Sequence, residues 1–95
     1  MNAPQRIRAL AVCVVRRGEE ILVFEGHDPV TGETFYRALG GGIEFGETGA
    51  KAAARELEEE LGTRPRDLRY LATLENIFVF DGEPGHEIVQ ATKGR

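Results

Sequence analysis

The stretch GGGIEFGETGAKAAARELEEELG, residues 40–62, decides how the rest of this 95-residue chain is read. Thr48 is placed to cap a helix that runs to Gly62, where a glycine suits the left-handed residue after a last turn, and Pro65 follows. Lys51 stands where the reciprocal capping glutamate usually sits. At about 100° per residue, Ala50, Ala53, Ala54, Leu57 and Leu61 share one apolar side, narrow and small enough for close approach to a sheet. Glu56, Glu59 and Glu60 fall within about 100° of arc bordering that side. Like charges three or four residues apart cost a helix about 0.2–0.5 kcal/mol each. Lys51 and Arg55 lie off to the other side and relieve little of it. A solvated acidic face is the plain reading of such a helix, and what precedes it points elsewhere.

Gly40, Gly41 and Gly42 are expected to let the backbone bend tightly and bring carbonyl oxygens near another group. Carboxylates with backbone carbonyls are the ligands that hard divalent cations take, and magnesium commonly combines few carboxylates with substrate phosphates. A cation between acidic side chains and a polyanionic phosphate removes their mutual repulsion and polarises an attacking water. The helix penalty then has a chemical reason.

Working outward, Arg8–Val15 reads as a strand with both faces covered, and Arg16-Arg17-Gly18-Glu19 as the turn to a second strand, Glu20–Phe24. His27–Thr34 reads as an exposed loop, and Phe35–Leu39 as a short strand leading into the glycines. Leu68–Phe80 fits one long bent strand or two shorter ones. Asp81–Gly85 is a turn, and His86–Val89 begins a strand that QATKGR does not continue with any apolar pattern. Strands, one helix, then strands predict an α+β, or mixed α/β, fold in a single domain.

The formal charge of −4, with no basic run longer than two residues, argues against gripping polymeric nucleic acid. The longest apolar run, Ala9–Val15, is too short to span a membrane. Cys13 is the only cysteine, so a reducing cytoplasm is expected, and its AVCVV setting reads as buried packing. His27 and His86 show no zinc spacing. Phe35 and Tyr36 could stack on a base, although strand aromatics are more often core; Arg64, Arg66 and Arg69 read as a solvated edge.

From Gly41, five residues lead to Glu47, and seven more to Arg55-Glu56-Leu57-Glu58-Glu59-Glu60-Leu61-Gly62-Thr63. This resembles the Nudix box, G-x5-E-x7-R-E-U-x-E-E-x-G-U with U a bulky apolar residue, and only Thr63 departs from it. FYRALGGGIEFGE and EPGHEIV look like one bacterial-type branch of Nudix hydrolases, so the likeness spans roughly Arg6–Val89. The resemblance implies hydrolysis of a nucleoside diphosphate linked to another moiety, with magnesium or manganese. By position it implies Glu56, Glu59 and Glu60 as metal carboxylates, with the Gly40 carbonyl as an added ligand. It implies Arg55 orienting those carboxylates and Glu47 supporting the loop–helix junction. One carboxylate, with Glu59 and Glu56 as the candidates, is implied as the proton acceptor, a role that in several Nudix enzymes falls to a later loop; Gly41 and Gly62 are implied as motif support.

Nudix domains continue past a segment like HEIV with another strand and a second helix, which QATKGR does not resemble. A C-terminally truncated domain, a homodimer that covers the open face of ALAVCVV, and a minimal sheet are three accounts of this. A non-catalytic module that binds nucleotide or metal, or that dimerises, is the alternative function.

Overall fold

In the computed structural model, residues 5–95 are described. The elements are β1 (Ile7–Arg17), β2 (Glu20–Leu22), β3 (Phe24–His27), β4 (Thr34–Arg37), β5 (Leu39–Gly42), α1 (Gly49–Leu61), β6 (Arg69–Phe80) and β7 (Glu83–Gly94). The main sheet has the order β2-β1-β7-β6, and β5 pairs with β1. Antiparallel β2 and β5 both pair with β1, at Val15–Arg17 and at Leu10–Cys13 respectively. β1 and β7 run parallel, which makes the sheet mixed, as the α+β reading expects. β3 and β4 form a separate hairpin. The Asp28 carboxylate closes its loop by accepting from the amides of Val30 (2.8 Å) and Thr31 (3.3 Å).

α1 lies on the sheet face presented by Ala11 and Cys13, and the core is Ala11, Cys13, Leu39, Ala52, Ala53 and Leu57. Burial pushes the Cys13 thiol up, against a smaller opposing effect of its Thr92 hydrogen bond. The helix is rotated from its expected setting. Gly49, Ala52, Ala53 and Leu57 are its buried residues, whereas Ala50 is exposed and Leu61 is 42% exposed. Gly49 explains the rotation: a Cβ there would collide with the Gln90 side-chain amide, so the missing side chain lets the helix start settle directly onto β7.

Several strand expectations change, including Phe35–Leu39, which divides between β4 and β5, and the open reading of Leu68–Phe80 is decided. The segment EILVF is split, with β2 ending at Leu22 and β3 leaving the main sheet at Phe24. Leu68–Phe80 is one strand from Arg69, with its pairing irregular between Tyr70 and Ala72. The turn after it is only Asp81-Gly82, both with positive φ (53° and 75°), as a two-residue hairpin connection needs. Pro84 is therefore within β7, where only β6 flanks it; pairing with β1 starts at His86, so no ladder bond to β1 is lost at the proline.

β7 also continues through QATKG, and Ala91 and Thr92 are buried, with the Thr92 hydroxyl donating to the Val12 carbonyl (3.1 Å). Small residues suffice there because neighbours approach closely: a Cβ at Gly94 would already sit 3.1 Å from Leu68 and Pro65. Leu10–Val15 of β1 is buried or half-buried, so the open apolar surface is not in ALAVCVV. It lies in the outer strand β6, at Leu74 (55% exposed), Ile77 (73%) and Val79 (66%).

Candidate active site

The site is assembled where β5 meets α1. The Thr48 hydroxyl accepts from the Lys51 amide at 3.2 Å, and Gly62 ends the helix at φ 73° with its amide donating to the Glu58 carbonyl. Between β5 and the cap, residues 44–47 make a turn in which Gly46 takes φ 84°. The Glu47 amide donates to the Glu44 carbonyl (3.0 Å), and the Glu44 amide donates to Glu47 Oε1 (3.1 Å).

The glycine run is not the tight bend that the sequence suggests. Gly40, Gly41 and Gly42 are extended strand residues opposite Val12, Ala11 and Leu10. Their role is close approach. A Cβ on Gly40 would collide with the Ala11 carbonyl oxygen, and one on Gly41 would lie 2.5 Å from Cδ of Glu56. Gly41 thus lets the Glu56 carboxylate rest against the strand.

Arg55 ties these parts together. Its Nε donates to Glu47 Oε2 (2.8 Å), Nη1 to Glu56 Oε1 (2.9 Å), and Nη2 to Glu47 Oε1 and the Gly42 carbonyl (both 3.0 Å). Glu59 lies 3.5 Å and Glu44 3.9 Å from the same guanidinium. One cation therefore stands among four carboxylates, and its proton is held more tightly than usual, chiefly by the Glu47 hydrogen bonds. The same bonds pull the Glu47 carboxyl down to about 2.

Glu47 therefore carries a pH prediction. Its folded pKa lies below the unfolded value of about 4.3, so its stabilisation is present above that pH and is lost as pH falls toward 2. Thermal melts of Glu47→Gln are expected to depend less steeply on pH between about 4 and 2 than those of the parent. Equal slopes would show that the Arg55 bond does not act on stability.

Partial burial raises the Glu60 carboxyl, the charges of Glu56 and Glu59 raise it further, and the charge of Arg37 opposes them. Glu56, Glu59 and Glu60 are thus mutual neighbours. Among the described residues, however, no three such side chains converge closely enough to hold a metal ion as they stand. The donor set still fits a hard cation: it is all oxygen, carries more negative charge than Arg55 balances, and includes Glu59, whose side chain is 60% exposed.

Other expected residues are dispersed. Arg64 pairs with Glu58 on the outer surface, and His27 bonds Thr34 in the hairpin. Phe35 and Tyr36 are not core: they are 37% and 65% exposed and line a cleft of about 680 Å³ with Phe24, Phe80, Asp28 and Arg37. The cleft lies between the β3–β4 hairpin and the β6–β7 end of the sheet. Alternation along TFYR gave no sign of it, because it depends on β3–β4 leaving the main sheet.

The chain matches the model of the NUDIX domain family over residues 5–92. It is a Nudix family member. Its fold is similar to that of a MutT NUDIX hydrolase from Burkholderia pseudomallei, with TM-score 0.76, 23% identity, and 96% of this chain and 68% of that one covered. It is also similar to the E. coli ORF135 protein, with TM-score 0.63 and 21% identity over 95% of this chain and 65% of that one. In sequence it is 38% identical to an NAD-capped RNA hydrolase NudC of Chromobacterium violaceum, over 68% of this chain and 24% of that protein. It is 42% identical to part of an octanoyltransferase of Myxococcus xanthus, over 67% of this chain and 18% of that protein. This chain thus corresponds to a quarter or less of those two curated relatives' length. The Nudix motif residues Gly41, Glu47, Arg55 and Glu56 form the packed cluster, with Glu59 and Glu60 one turn further along α1.

Proposed function

We propose that this chain hydrolyses the pyrophosphate bond of a nucleoside diphosphate linked to another moiety. Glu56, Glu59, Glu60 and the Gly40 carbonyl would hold magnesium or manganese. The observation that carries this reading is the Arg55 clamp: it places Glu56 against Gly41 and keeps Glu59 beside it. A cleft large enough for an organic group is lined by β4, the strand that precedes the glycines of β5. Bound metal would neutralise the phosphates and acidify the attacking water. Arg55 has its donors committed to Glu47, Glu56 and Gly42, so it orients carboxylates and does not reach substrate. Glu47 holds Arg55 in turn. Glu59, the more exposed carboxylate, is the proton acceptor in this reading, with Glu56 in that role if Glu59 is bound too tightly. A cytoplasmic setting accords with the single buried thiol.

The NudC relatives are named for NAD-capped RNA, which puts NAD-type dinucleotides first in a substrate panel with ADP-ribose and nucleoside triphosphates. The chain's acidic charge favours the small molecule over the polymer. Assayed on protein of verified intact mass, at least one member should release a nucleoside monophosphate with magnesium or manganese and none with chelator. A second reading draws on the carboxylates that do not converge: a module that binds metal and nucleotide without turnover. Magnesium-induced thermal stabilisation with no product from any substrate would favour it over hydrolysis. Exposed apolar β6 makes a homodimer the expected self-association, read by light scattering.

A further inference from the structure

Arg37 is the second arginine of the site, and its situation is the reverse of that of Arg55. It ends β4, opposite Phe24 in the β3–β4 register, and its guanidinium stands 5.4 Å from the Phe24 ring centroid. It lines the cleft and stands three residues before Gly40, in the chain that leads to the Gly41–Glu56 contact. Among the described residues no carboxylate forms an ion pair with it and no hydrogen bond engages its donors. The other basic groups lining the cleft are engaged, Arg8 with Glu87 at 3.9 Å and His27 with Thr34 at 3.0 Å. An exposed arginine braced by an aromatic ring, with an open donor fork on the wall of a cleft, is set up for a planar or tetrahedral oxyanion.

We propose that Arg37 binds the phosphate next to the organic group of the substrate, fixing how a diphosphate spans from the glutamate cluster to the cleft. This rests on the diphosphate reading above. A ligand with metal-bound phosphates at Glu56, Glu59 and Glu60 and a ring against Phe35 or Tyr36 would follow the chain from Gly41 back along β4, where Arg37 stands between them. That contact exists before and during reaction alike, so it contributes to affinity and not to turnover. Arg37 is therefore a substrate-binding residue that selects for a phosphate at that position.

Calorimetry with ADP and with adenosine, in the presence of magnesium, tests this on the parent chain, Arg37→Met and Arg37→Lys. Arg37→Met is expected to weaken ADP binding about tenfold or more and to leave adenosine binding unchanged, with Arg37→Lys intermediate. For any substrate turned over, KM should rise by a similar factor while kcat stays within about twofold. Parent-like ADP affinity in Arg37→Met overturns the inference while leaving the hydrolase reading intact. So does an equal loss of adenosine affinity, which would mean a reshaped hairpin. Arg37-dependent ADP binding by a parent chain that hydrolyses nothing supports the inference and removes the hydrolase reading. A parent chain that binds no ADP with magnesium overturns the inference, while product release from the substrate panel still decides the hydrolase reading.

Discussion

Glu59→Gln and Glu60→Gln are each expected to lower metal-dependent turnover about 10²–10³-fold. Each substitution keeps the shape of the side chain and removes the charge that a divalent cation needs. Metal stabilisation of a transferring phosphoryl group is worth several kcal/mol, and each factor of ten is about 1.4 kcal/mol. The fold should survive, because both residues are exposed on the last turns of α1. Glu60→Gln separates the two effects especially well. The folded pKa of Glu60 is raised, so stability from that group is present below its unfolded pKa and is lost as pH rises through the folded one. At pH 7 without metal the glutamine variant should therefore melt no lower than the parent. Adding magnesium should raise the melting temperature of the parent but not of the variant. Parent-like turnover in both variants would sink the assignment of the site.

The glycine run offers the second large effect, because its three members should behave in three different ways. In Gly40→Ala the new methyl meets the backbone of Ala11 and Val12, which cannot move without parting β5 from β1. Overpacking usually costs about 1–3 kcal/mol, and a backbone obstacle puts this case at about 3. For a chain of this size that lowers the melting temperature by on the order of 10–20 °C. In Gly41→Ala the obstacle is the Glu56 carboxylate, a side-chain end that can swing away, so turnover should fall much further than stability. Gly42→Ala meets nothing within 4 Å and should leave both within error. Three similar variants would show that the strand is not held at this spacing.

How much of this was legible beforehand differs from element to element. The helix ends were readable because Thr48 and Gly62 satisfy backbone groups locally, and their chemistry does not depend on the rest of the fold. The cluster around Arg55 was readable from fixed offsets between Gly41, Glu47 and Glu56. The glycines were misread as a bend because a missing side chain permits either a turn or a close contact, and only the partner strand decides between them. β7 was cut short for a related reason. Gln90, Ala91 and Thr92 carry no apolar period, yet they are packed from both sides by β1 and β6. Arg37 gave no signal at all, since its surroundings, the Phe24 ring and the cleft wall, are brought to it by β3, β6 and β7.

The parallel ladder joins Ile7 to His86 and Val15 to Gly94. β1 therefore meets β2, β5 and α1 first, and its parallel neighbour only after more than seventy further residues have been added. At a synthesis rate of roughly 5–20 residues per second, the β7-facing edge of Ile7–Val15 waits several seconds for its partner. Such distant pairing makes closure of the ladder slow relative to local steps. Nascent chains of this protein are thus expected to acquire full protease resistance only after Gly94 has left the exit tunnel.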